Sequence, residues 1–173
     1  MLIQVTRGAN PRRMSGAFPI AILPVSPGAI GVARLPGMGG DLAGDLAAIG
    51  RFAPGLVVSM TEADEMRALG AGALPEALRA LRIDWAHFPI VDFGTPPAGS
   101  DWSALAARCH AQLDAGARVL LHCRGGKGRS GMVALRLMVE RGEAPVAALA
   151  RLRAARPGAV ETRAQEAWAG LAS

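Results

Sequence analysis

A cysteine and an arginine stand six residues apart in the run His122-Cys123-Arg124-Gly125-Gly126-Lys127-Gly128-Arg129-Ser130-Gly131, with three glycines between them. These residue types at this spacing make a nucleophile at the bottom of an anion trap. Glycine lets a chain approach closely or take positive φ, so the backbone N–H groups of Gly125, Gly126, Lys127 and Gly128 can converge on one phosphate. The same N–H groups, with the positive end of a following helix, favour a thiolate over a thiol at Cys123. Arg129 offers phosphate oxygens two parallel donors, a fork that lysine lacks, and is the expected stabiliser of charge in the transition state. Ser130 can donate its hydroxyl to the sulfur and ease its departure. Arg124 and Lys127, the latter the one lysine among 19 Lys and Arg, complete the phosphate-binding set. His122 is expected to face away from the phosphate, in a hydrogen-bond network that stiffens the loop.

Cleavage of a phosphate ester also needs an acid for the departing oxygen. Phe88-Pro89-Ile90-Val91-Asp92-Phe93-Gly94-Thr95-Pro96-Pro97 supplies Asp92, 31 residues before Cys123, at the end of a short strand and in a Gly/Pro-bounded loop able to reach over the pocket.

The elements that must hold these residues follow from the apolar pattern. Arg118 to His122 reads as a buried parallel strand and Gly131 to Val139 as a helix. Upstream, Pro19 to Arg34 holds two short strands broken by Pro24 and Pro27. Asp41 to Phe52 repeats at helical spacing, Gly55 to Met60 is a strand, and Thr61 is the expected N-cap of a helix begun at Glu62. Helix 74–81, strand 84–90, a helix from Asp101 to about Ala115 and three helices after the loop complete the chain. Alternating strands and helices predict an α/β, three-layer single domain with a mainly parallel central sheet flanked by helices. The carboxyl ends of its strands gather Cys123, Asp92 and Ser59.

The pattern resembles the protein tyrosine and dual-specificity phosphatase superfamily, whose signature His-Cys-x5-Arg-Ser/Thr is matched at His122, Cys123, Arg129 and Ser130. A bare Cys-x5-Arg also occurs in rhodaneses, Cdc25-type phosphatases and arsenate reductases. Ser130 and Asp92 argue against sulfur transfer. The acid segment is similar to that of the kinase-associated phosphatase group, which has Pro-Ile-x-Asp-x-Gly-Thr-Pro there and a Gly-Gly pair in its loop. Arg156-Pro157-Gly158, followed by a helix with Gln165, is similar to Cdc14-like enzymes, and the resemblance implies that Gln165 helps orient the attacking water; an exposed helix glutamine is the other reading. No Trp-Pro-Asp tripeptide is present.

The resemblance implies a phosphoric monoester hydrolase working through a phosphocysteine, with Cys123 as nucleophile and Asp92 as acid, acting on phosphotyrosine, phosphoserine or phosphothreonine proteins. The alternative is a phosphatase of phosphoinositides, inositol phosphates or another polyanionic phosphate, for which Arg124 and Lys127 speak. A phosphate-binding pseudophosphatase is the less supported reading. No metal or organic cofactor is required.

Composition sets the remaining expectations. Residues 1–18 read as an irregular basic lead-in and 19–173 as the catalytic domain, with 51% apolar residues to build a core. No apolar run is long enough to span a membrane and no signal-peptide pattern is present. A net charge of +5, scattered along a chain with 4% aromatics, does not suit nucleic-acid binding. Two cysteines give no disulfide framework, so a cytoplasmic protein is expected, with Cys109 a core residue. His87 and His110 lack metal-ligand spacing, and Trp85, Trp102 and Trp168 are read as packing residues. The Ala/Arg/Gly-rich, tyrosine-free composition suits a bacterial genome, and a monomer is expected.

Overall fold

The structure, a computed structural model, describes residues 18–171; the lead-in expected at 1–18 lies, but for Phe18, outside the described residues. Five strands form one sheet in the order β1-β2-β5-β3-β4. These are β1 (Ala21–Val25), β2 (Gly28–Ala33), β3 (Leu56–Ser59), β4 (Asp84–His87) and β5 (Arg118–His122). β1 runs antiparallel to β2, and every other pairing is parallel. The nucleophile strand is therefore central, flanked by β2 and β3, and its Val119, Leu120 and Leu121 are fully buried.

Period-two alternation sends β-strand side chains to two different cores. On one face Val58, Val119 and Leu121 pack against α4 (Trp102–Asp114), α5 (Gly128–Glu140) and α6 (Pro145–Ala155). On the other, Val57 and Leu120 pack against α1 (Leu42–Phe52), α2 (Ala63–Ala68) and α3 (Leu74–Ala80). A short α7 (Arg163–Trp168) closes the chain. The result is the three-layer α/β domain expected from the alternation of elements.

Four local expectations differ. Pro24 does not break β1; it pairs with Ala29 on an edge strand, where a missing N–H is tolerated. Thr61 is fully buried and is not the cap; Glu62 takes that position without a side-chain bond, and α2 starts one residue later. The helix after the loop begins at Gly128 rather than Gly131, so Arg129 and Ser130 belong to its first turn. Strand β4 ends at His87, yet Phe88 and Ile90 still donate to the Ser59 and Met60 carbonyls, at 2.9 and 3.0 Å, and carry the chain to Asp92.

Candidate active site

Between β5 and α5 the chain wraps into a loop in which the four carbonyls of Arg124, Gly125, Gly126 and Lys127 are bonded to groups outside it. Leu35 N donates to Arg124 O (3.1 Å), and Val160 N and Gly131 N donate to Lys127 O (3.2 and 2.9 Å). Arg156 holds the middle, donating from Nη2 to Gly125 O (2.9 Å) and from Nε to Gly126 O (2.7 Å). A trans peptide sets its N–H opposite its C=O. The N–H groups of Gly125, Gly126, Lys127 and Gly128 are thereby turned to the inside of the loop, where an anion would sit. Gly126 takes φ +67°, and a Cβ there would collide with the Ala33 backbone, so this position excludes any side chain.

At the base of this loop Cys123 is buried, and its Sγ lies 3.3 Å from Ser130 Oγ. Arg129 is 1% exposed, the largest fully buried side chain among the described residues. Glu65 at the centre of α2 grips it in a bidentate pair, 2.7 Å to Nη1 and 2.9 Å to Nη2. Nη1 also donates to Ile90 O (3.0 Å), and Nη2 lies 3.1 Å from Asp92 Oδ1. Burial by itself would disfavour the Arg129 cation, but the bonds to Glu65 and the Cys123 and Asp92 charges outweigh it and raise its pKa. The hydrogen bond from Arg129 in turn holds the Glu65 carboxyl below the usual carboxylate range. One donor is left: Arg129 Nε is buried and has no partner among the described residues.

His122 lies behind the loop. Its Nε2 is 2.6 Å from Ser59 Oγ, which accepts from Trp85 Nε1 at 2.8 Å, so one chain of bonds crosses β4, β3 and β5. His122 Nδ1 is buried and, like Arg129 Nε, has no partner among the described residues. Complete burial pushes the His122 pKa down to about 3, so the ring is neutral.

Asp92 is half-exposed and occupies a turn closed by Gly94 N donating to Val91 O at 2.8 Å. Gln165 is fully buried, not an exposed helix residue: its Oε1 accepts from Glu161 N (2.9 Å) and its Nε2 donates to Gly94 O (3.1 Å). It ties α7 to the acid turn. Arg124 and Lys127 are exposed at the loop rim, with the Lys127 stem against Gly158. Cys109 lies in the core among α4 side chains, its thiol pKa pushed up to about 12 by burial, and joins neither the site nor a disulfide.

Sequence reading thus named every residue of the loop and placed Ser59 at the strand ends beside Cys123, but missed Glu65, the clamping role of Arg156 and the bond from Ser59 to His122. Arg156 had a signal, since its Arg-Pro-Gly segment stood out.

Fold and site together define the class: an α/β domain with a Cys-x5-Arg loop at the carboxyl end of its central strand, of the kind found in cysteine-dependent phosphatases. A family model described as a Swiss Army Knife protein, DSP-PTPase phosphatase domain (PTP-SAK), matches residues 55–169, and the chain belongs to that family within the dual-specificity phosphatase superfamily. It is a phosphoric monoester hydrolase by class. Among solved structures, kinase-associated phosphatase (KAP) with its catalytic cysteine replaced by serine is similar over 90% of this chain and 94% of its own, at 22% identity and a TM-score of 0.78. Tk-PTP in its active form matches 80% of this chain and 87% of its own, with 29% identity and a TM-score of 0.58. Human DUSP28 matches 87% and 90%, with 17% identity and a TM-score of 0.59. No curated protein matches the chain.

Proposed function

We propose that this chain hydrolyses phosphate monoesters on phosphotyrosine, phosphoserine or phosphothreonine proteins through a phosphocysteine intermediate. The observation that carries this reading is the pairing of an inward ring of loop N–H groups with a buried Arg129 Nε that has no partner among the described residues. A buried donor without an acceptor costs about 1–3 kcal/mol, and a bound phosphate oxygen would remove that cost. In the first step the Cys123 thiolate attacks phosphorus, the S–P bond forms and the ester P–O bond breaks. Asp92 gives its proton to the departing oxygen. In the second step water attacks the phosphocysteine, Asp92 takes the water proton, and sulfur leaves as a thiolate stabilised by the Ser130 hydroxyl. Loop N–H groups and Arg129 hold the charge on the equatorial oxygens in both steps.

Glu65 fixes the guanidinium, and His122 stiffens the loop from behind. Gln165 braces the acid turn near the path of the attacking water. Residues 19–173 act as one catalytic unit in this account, and the two free cysteines suit a cytoplasmic setting. Rapid acid quenching of the enzyme with a radiolabelled aryl phosphate is expected to trap one phosphate per chain on Cys123. Turnover without a label on Cys123 overturns the mechanism, and absence of both turnover and label overturns the phosphatase reading.

A further inference from the structure

The two edges of the sheet are finished differently. Along β1, Pro24 has no N–H to offer, its carbonyl accepts from Arg151 Nη1 (3.0 Å), and the Ser26 carbonyl just beyond accepts from Arg141 Nη2 (3.0 Å). Such blocking keeps a further strand from adding there. The edge at β4 has no comparable block among the described residues. Phe88 and Ile90 turn their N–H groups to β3, so alternation along the chain sends the main-chain groups of Trp85 and His87 outward. The one side chain bonded to them among the described residues is Arg108 of α4, whose Nη2 stands 3.5 Å from Trp85 O, at the limit of a hydrogen bond.

Beside this open edge lies a groove of about 360 Å³. Ala86, Phe88 and Pro89 line one side, Leu105 and Arg108 of α4 the other, and Pro97 closes it where the acid loop returns. The groove has an apolar floor and room for one large aliphatic or aromatic side chain, and the Arg108 side chain on its wall is exposed. Its wall continues from Pro89 through Ile90 and Val91 into Asp92, so a chain lying along the β4 edge is led to the acid turn. Main-chain groups free beside a pocket for a single side chain are the arrangement that binds an extended peptide as an added strand. An acidic residue in that peptide would pair with Arg108, and a net charge of +5 favours an acidic partner.

Resting on the phosphatase reading above, we infer that β4 and α4 form a docking groove for an extended, acidic segment of the phosphoprotein substrate, which adds to the β4 edge and seats one apolar side chain against Phe88 and Leu105. From His87 to Asp92 the chain spans at most about 17 Å, so the anchoring side chain stands about five residues from the phosphorylated one. The probes are fluorescein-labelled, glutamate-rich phosphotyrosyl peptides with a single leucine about five residues before or after the phosphotyrosine, and the same peptides with alanine in its place. Affinity is read by anisotropy on Cys123→Ser and kcat/KM on the active protein, with a simple aryl phosphate as the substrate that does not reach the groove. In one of the two orientations, leucine should be favoured over alanine about tenfold, mainly through KM. Ala104→Trp, which fills the groove from an exposed position of α4, should abolish that preference while leaving aryl phosphate turnover and Tm unchanged. Arg108→Glu should weaken the glutamate-rich peptides about three- to tenfold, an effect that shrinks with added salt. Equal affinity for leucine and alanine peptides in both orientations, or a leucine preference that survives Ala104→Trp, overturns the inference and leaves the phosphatase reading intact. Wild-type protein that hydrolyses neither the peptides nor the aryl phosphate overturns both.

Discussion

The Cys123 loop and the Asp92 turn meet at Arg129, yet they are held in opposite ways. Four successive loop carbonyls are bonded from outside, and His122, Cys123, Arg129 and Ser130 are buried. The acid turn has two internal bonds, Gly94 N to Val91 O and Phe93 N to Asp92 Oδ1, and one brace from Gln165, and exposes Val91, Asp92 and Phe93. Each arrangement suits its task. Donors aimed at a transition state are effective only if they need no reorganisation when charge develops. A proton donor must instead meet leaving groups of varied shape, so it sits on a surface turn carried by a rigid scaffold. Arg129 joins the two regions, through Glu65 behind it, the Ile90 carbonyl and Asp92 in front.

The sharpest way to break the comparison is to remove chemistry from the rigid half without disturbing its frame. Cys123→Ser is expected to abolish turnover of every ester while inorganic phosphate still binds, because a serine hydroxyl is not ionised by these N–H groups. Steady-state assays and phosphate titration by calorimetry check this. Activity at a hundredth of wild type would sink the nucleophile assignment.

Removing the acid from the exposed half should have an effect that depends on the substrate. Asp92→Asn is expected to lower kcat by about 10²–10⁴ on alkyl phosphates, with a much smaller loss on an aryl phosphate whose phenolate leaves without help. Equal losses on both would make Asp92 a turn residue, and the exposed region would then have no separate chemical task.

The two regions also differ in how far the sequence revealed them. The loop is contiguous, so one window from His122 to Gly131 carries the nucleophile, the glycines and the fork, and strand β5 coincides with the apolar run expected for it. Asp92 was legible because Gly94, Pro96 and Pro97 mark a loop at the end of a strand. What supports both was not legible, because it comes from topology. Glu65 reaches Arg129 across 64 residues only because α2 follows β3, and β3 lies beside β5. Ser59 meets His122 for the same reason, in direct register on those two strands. Thr61 misled as a cap because the chain buries it, with its Oγ1 left without a partner among the described residues, and Glu62 stands at the cap position.

Glu65 therefore offers the finest test of the comparison, since it acts on the rigid half from outside the motif. Glu65→Gln keeps the shape of the side chain and removes its charge, leaving the buried Arg129 cation without its strongest partner. Loss of one charge-assisted hydrogen bond, about 1.5–3 kcal/mol, predicts a fall in kcat/KM of about ten- to a hundredfold, smaller than for Asp92→Asn on alkyl esters. Because Glu65 is a positioning residue, the loss should be similar for alkyl and aryl phosphates, unlike that of Asp92→Asn. Stability should report the same pair. The carboxyl of Glu65 is held below the ordinary range of about 4.3 by its bond to Arg129, so its contribution is fully present above that range and is lost as pH falls through the folded-state value. Wild-type Tm is expected to drop on acidification below about pH 4, with a shallower drop in Glu65→Gln. A variant with unchanged activity and the same acid slope would show that the Ile90 carbonyl and Asp92 alone suffice to hold Arg129, and that the frame behind the loop is tighter than the pairing with Glu65 implies.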